Sequence, residues 1–189
     1  MCIENTKKKK NIILIGMPAC GKSTVGVLLA KKLGYRFVDS DILIQEAEGR
    51  LLHDIIESDG ADGFLAIEER VNLTIGEKGS STEQGCVIAT GGSAIYSDKA
   101  MKHFAEIGII VYLKMSYSSI EARLGNYSHR GVVMPSGYTL RRLYDERCYL
   151  YEKYAMLTVS EEKKSRQRSR SQDIGNTLDM LCRELEGVI

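Results

Sequence analysis

No two cysteines stand in a C-x-x-C arrangement and the three histidines do not cluster, so neither a zinc cage nor a disulfide framework is written into the sequence. Cys2, Cys20, Cys86, Cys148 and Cys182 are scattered, as reduced thiols in a cytosol would be. An excess of one charge is missing too. The 26 lysines and arginines face 25 aspartates and glutamates, and a net charge of +1 argues against chain-wide attraction to nucleic acid or to a membrane surface. Long apolar runs are also absent: NIILIG (11–16) is far too short for a signal or membrane segment, and the expected setting is cytoplasmic. What is present is a chain of ordinary domain length, 189 residues with 43% hydrophobic content, which suffices to fill one core. We expect a single domain over 1–189, a monomer.

Two hydrophilic stretches could be taken for nucleic-acid elements. MCIENTKKKK (1–10) reads as a short solvated arm before the first strand, and EEKKSRQRSRSQ (161–172), which holds no apolar or aromatic residue, reads as a surface connector. After it, Ile174, Leu178, Leu181 and Leu185 share one helical face, predicting a closing helix over about 172–187. Between these ends, short β-type runs at 11–15, 35–38, 86–90 and 109–113 alternate with helical patterns at 23–33, about 41–78, 97–106 and 139–155. Such alternation predicts crossover units and a parallel sheet in an α/β fold. NYSHRGVVMPSGYT (126–139) has no clear period and reads as a loop free to move.

GMPACGKST (16–24) fits G-x-x-x-x-G-K-[ST] and lies between an apolar strand and a helical pattern, the context that makes the motif a phosphate-binding loop. Backbone N–H groups from Gly16 to Thr24, with Ala19, Cys20 and Gly21 at the turn, would curl round a phosphate chain at a helix N-terminus. Lys22 would reach the β- and γ-phosphates and the Ser23 hydroxyl would ligate Mg²⁺. A nucleoside triphosphate with Mg²⁺ is the expected bound species. Beyond it, FVDSDILI (37–44) sets Asp39 and Asp41 one residue apart, on the same side of an extended chain. Asp39 can hold the Mg²⁺ shell. Asp41 would repel a phosphate unless it faces a neutral acceptor whose hydroxyl proton it takes as the phosphoryl group moves. A helix N-cap followed by a first-turn acid is the plain alternative for this pair.

Taken together, GMPACGKSTVG, FVDSD, GFLAIEE, ATGGS, RLGNYSHRG and RCYLYEKYA resemble, in this order over most of residues 11–159, the motifs of the shikimate kinase family. The resemblance implies a P-loop kinase fold: a three-layer arrangement with a five-stranded parallel sheet in 2-3-1-4-5 order, flanking helices, an acceptor-binding region (about 41–70) and a lid (about 126–138). It implies that Asp41 contacts the acceptor hydroxyl, that Gly91 and Gly92 approach the acceptor with their backbone beside Phe64, and that Arg147 clamps its carboxylate. Arg123 would face the adenine, Arg130 would enter with the lid, and Glu68 would orient the carboxylate-binding arginines. The chain also departs from the family pattern. Leu65 stands where that pattern has an arginine, Ser93 replaces a third glycine, Arg130 is not followed by proline, and the segment from Arg130 to Arg147 is shorter. The expected activity is transfer of the ATP γ-phosphoryl group to shikimate. Phosphorylation of another small hydroxylated metabolite, and ATP binding without catalysis, stay open.

Overall fold

The computed structural model describes residues 9–124, 133–135, 137–160 and 170–189. Five strands, β1 (Asn11–Ile15), β2 (Arg36–Asp39), β3 (Cys86–Ala89), β4 (Gly108–Lys114) and β5 (Leu157–Ser160), form one sheet in the order β2-β3-β1-β4-β5, every pair parallel. All five residues of β1 are buried, which is why this central strand reads as an unbroken run rather than an alternation: helices cover both its faces. Its one polar residue, Asn11, donates from Nδ2 to the Thr82 carbonyl (3.1 Å) and accepts the Cys86 N–H (2.9 Å), so the starts of β1 and β3 are pinned in register.

Among the described residues seven α-helices follow in chain order: α1 (Lys22–Leu33), α2 (Ser40–Glu48), α3 (Leu52–Thr74), α4 (Asp98–Ile107), α5 (Tyr117–Leu124), α6 (Leu140–Tyr154) and α7 (Arg170–Leu185). The helical pattern expected over 41–78 is thus two helices. Gly49 ends α2 in the left-handed conformation (φ 63°), and α3 is itself interrupted at Gly60 (φ 71°, ψ −177°). Arg50 holds these pieces together with two bonds to Asp59 (3.1 and 2.8 Å) and one to Glu48 (3.2 Å). They carry a small apolar cluster of their own, Ile44, Ile55, Phe64, Val71 and Val133, apart from the main core under the sheet. At the other end, Leu181 and Leu185 of α7 are fully buried in that core, on the helical face expected.

From β1 the chain passes through α1 to β2 and β3 on one side of the sheet and then crosses to β4 and β5 on the other. This is the switch point at which open parallel sheets bind ligands at the carboxyl ends of their strands. None of the described helices is long and apolar enough to cross a membrane.

Candidate active site

The loop from Gly16 to Gly21 connects the end of β1 to α1. Gly21 caps α1 with φ 104°, a left-handed value that a side chain would resist, and no side chain occupies the cap. The first N–H groups of α1 are therefore available to an anion. Ala19 has φ 65°, the one non-glycine residue with positive φ among the described residues, a local strain of the kind found at ligand-binding turns. Lys22 folds back over the loop. Its Nζ donates to the carbonyls of Gly16 (2.8 Å) and Met17 (3.1 Å), which holds the ammonium at the loop mouth.

Asp39 ends β2 and serves two partners. Its Oδ2 accepts from the Ser23 hydroxyl at 2.8 Å, and its Oδ1 accepts the Asp41 N–H at 3.1 Å as the N-cap of α2. The extended geometry expected for the pair is corrected here: the strand stops at Asp39, and Asp41 lies in the first turn of a helix. Capping and contact with the phosphate loop are therefore combined in one carboxylate. Burial, with the like charge of Asp39 adding to it and Lys22 opposing, pushes the Asp41 carboxyl up to about 6.

Gly91 and Gly92 follow β3 and admit no side chain. A Cβ on Gly91 would collide with Glu68 Oε1 and lie 2.9 Å from Asp41 Oδ1; one on Gly92 would lie 2.8 Å from Pro18 and 3.1 Å from Arg147 Nη1. The two glycines thus mark where Asp41, Glu68, Arg147 and the phosphate loop meet. Sequence reasoning missed what fixes this turn. Gly91 N–H donates to Ser40 Oγ (2.9 Å), and the Tyr151 hydroxyl donates to the Gly92 carbonyl (2.6 Å). Ser40 sits between the two aspartates and Tyr151 one helical turn beyond Arg147, so both spacings were available as signals.

Glu68, 1% exposed, has no hydrogen-bond partner on either carboxylate oxygen. Burial pushes it up to about 7. The nearby Ser93 hydroxyl opposes that shift, Asp41 adds to it, and the charges of Arg147 and Lys22 oppose it. Phe64, buried on the same helix, belongs to the small apolar cluster. Arg147 is buried on α6 rather than exposed on a helix surface. Its Nη2 donates to the Val133 carbonyl (2.6 Å), its Nε donates to the Tyr96 hydroxyl (3.3 Å), and its guanidinium lies 5.3 Å from the Tyr96 ring centre. Arg123 on α5 leans toward the phosphate loop, with Nη1 3.5 Å from the Ala19 carbonyl. Arg70 is tied to Glu48 and offers no second cation at the acceptor side. Arg130, with most of the expected lid, lies outside the described residues.

This arrangement sets a phosphate loop, a paired hydroxyl and carboxylate, and a buried acid–arginine turn side by side at the carboxyl ends of the strands. Residues 18–179 match the family model described as shikimate kinase. The shikimate kinase of Vibrio parahaemolyticus is 34% identical over 160 residues, 84% of this chain and 90% of that protein, and that of Aeromonas salmonicida is 36% identical over 161 residues, 84% and 91% respectively. Among solved structures, the shikimate kinase of Acinetobacter baumannii in complex with shikimate superposes with a TM-score of 0.75 at 28% identity, covering 94% of this chain and 96% of that one. The Aquifex aeolicus enzyme gives the same TM-score, identity and coverage. Sequence and fold agree over nearly the whole chain, which is a member of the shikimate kinase family.

Proposed function

We propose that this chain transfers the γ-phosphoryl group of ATP to a hydroxyl of shikimate. The observation that carries the reading is the division of labour between Asp39 and Asp41: the first is bonded to Ser23 of the phosphate loop, while the second faces Gly91 of the acceptor turn. One carboxylate serves the nucleotide and the other the acceptor. The bonded pair Ser23 and Asp39 suits Mg²⁺, a hard cation that takes hydroxyl and carboxylate oxygens. Bound with ATP, the ion would offset phosphate charge during transfer.

Around that centre the chain's own residues have distinct work. The α1 N-terminus and Lys22 bind and orient the phosphates, and Arg123 flanks the nucleotide. Asp41 takes the proton as the acceptor oxygen bonds to phosphorus and the bond to the bridging β-phosphate oxygen breaks, releasing ADP; such a positioned base contributes roughly 10²–10⁴ in rate. Gly91 and Gly92 let the acceptor approach, Phe64 backs the pocket, and Arg147 holds the acceptor carboxylate. Arg130 adds positive charge as the phosphoryl group moves. We assign the chain to the cytoplasm, where ATP is supplied, as a monomer.

A second reading, the same chemistry on another small hydroxylated metabolite, is favoured by one observation: Leu65 is uncharged and Glu68 beside it has no partner. ADP release with Mg²⁺, ATP and shikimate, followed in a coupled assay, tests the first reading. Release that rises with shikimate and saturates supports it. Release indifferent to shikimate but dependent on another hydroxylated compound transfers the assignment to the second.

A further inference from the structure

Successive residues on a helix do not face one another, so Glu146 and Arg147 on α6 are not placed to pair directly. Tyr96 joins them. It ends the short 3₁₀ turn Ala94–Tyr96 that follows the two glycines, and its hydroxyl donates to Glu146 Oε1 (2.7 Å) and accepts from Arg147 Nε (3.3 Å). Its ring centre lies 5.3 Å from the guanidinium carbon. Burial holds the Tyr96 hydroxyl above its usual range, so it keeps the proton that it donates to Glu146.

This linkage leaves the far end of the arginine open. A carboxylate bound straight to a guanidinium often takes two of its N–H groups as a fork. With one hydroxyl between them, the Glu146 charge reaches Arg147 through Nε alone. The Val133 carbonyl takes a hydrogen from Nη2 (2.6 Å), and Nη1 lies 3.1 Å from where a Cβ on Gly92 would stand, at the acceptor turn. Among the described residues of the acceptor side Leu65 is uncharged and Arg70 is tied to Glu48, so the acceptor carboxylate falls to Arg147. An arginine that must find its rotamer on binding loses affinity in ordering it. One already held by a hydroxyl at Nε, a carbonyl at Nη2 and a ring beside it does not.

We propose that Tyr96 is a positioning residue for the acceptor: backed by Glu146, it holds Arg147 with Nη1 toward the Gly91–Gly92 turn and so sets the affinity for the acceptor's carboxylate. The inference rests on the phosphotransfer reading and adds to it the residue that lets Arg147 serve without an arginine at position 65.

The test compares shikimate with its methyl ester as acceptors for the full-length chain with Mg²⁺ and ATP, in the natural protein and in Tyr96→Phe, which keeps the ring and drops the hydroxyl. The natural chain should prefer shikimate by about tenfold or more in kcat/KM. Loss of the hydrogen bond at Nε should lower kcat/KM for shikimate about tenfold, chiefly through KM, while the ester changes less than about twofold and KM for ATP holds. A merely structural role would lower both acceptors alike. No preference in the natural chain, or a preference that Tyr96→Phe moves less than about threefold, overturns the inference. Should the melting curve show Tyr96→Phe unfolded, Glu146→Gln, which keeps an acceptor for the hydroxyl and removes only the charge, takes its place under the same limit. If the natural chain phosphorylates neither compound, the phosphotransfer reading fails by itself. The ratio of the two dissociation constants by calorimetry, natural chain against variant, then decides the role of Tyr96 under the same limit, and a natural chain that binds neither compound overturns both.

Discussion

The Ser40 hydroxyl accepts the Gly91 N–H at 2.9 Å, so the residue between the two aspartates also fixes the first glycine of the acceptor turn. Ser40 is fully buried, and removing its oxygen leaves that N–H without a partner. Ser40→Ala should destabilise the fold by about 1–3 kcal/mol, with a lowering of Tm by about 2–4 °C per kcal/mol in a chain of this size. Acceptor KM should rise while nucleotide affinity holds. Thermal melts and steady-state kinetics read both.

Lys22 and Asp41 should separate on mutation. Lys22→Ala removes the ammonium held at the loop mouth by Gly16 and Met17 and should weaken both ATP binding and turnover. Asp41→Asn should leave ATP affinity nearly unchanged and lower kcat at least about a hundredfold, the range of a positioned base. An Asp41→Asn variant that keeps more than half of normal turnover would remove Asp41 from the mechanism.

Gly91→Ala probes the close approach directly. The added methyl would collide with Glu68 and crowd Asp41, and overpacking of this kind costs roughly 1–3 kcal/mol. Acceptor kcat/KM should fall roughly tenfold to a hundredfold, with ATP binding measured by calorimetry little affected. Equal losses of both affinities would mean that the turn supports the nucleotide half as well.

Much of this site was legible because its signals are local. The phosphate loop declares itself through glycine spacing between a fully apolar strand and a helix, and β1 and α1 appear where that pattern puts them. The sheet order came from resemblance to a family, since no local period specifies which strands pair. What stayed hidden depends on contacts between distant segments. Arg147 could be surface or clamp until Tyr96 and Val133 closed over it, and Tyr151 is one more aromatic on a helix until its hydroxyl meets Gly92. The break in α3 at Gly60 lies inside an otherwise continuous helical segment, and only the backbone angles of that residue reveal it.

Two carboxyls, Asp41 half-buried and Glu68 buried, make the protein pH-sensitive in opposite senses. Asp41 must be ionised to take a proton, so kcat/KM for the acceptor should fall as the pH drops through about 6. Glu68 has a folded-state value of about 7 against an ordinary 4.5, so the folded state holds this proton more tightly than the unfolded chain. Its contribution to stability is present below about pH 4.5 and lost as the pH rises through about 7. Relative to the natural chain, Glu68→Gln should therefore gain on the order of 3 kcal/mol between pH 4.5 and pH 8. Urea unfolding at the two pH values measures the change, and a constant difference would mean that Glu68 is not held in its acid form by burial.

With the phosphate loop facing the Gly91–Gly92 turn, phosphorus should pass directly from ATP to an acceptor oxygen. Phosphorus NMR of the full chain with Mg²⁺, ATP and shikimate follows that atom itself. Direct transfer gives a phosphomonoester signal that grows in step with ADP, with little inorganic phosphate and little turnover when shikimate is left out. Inorganic phosphate released at one rate with and without shikimate, and no phosphomonoester, would contradict it.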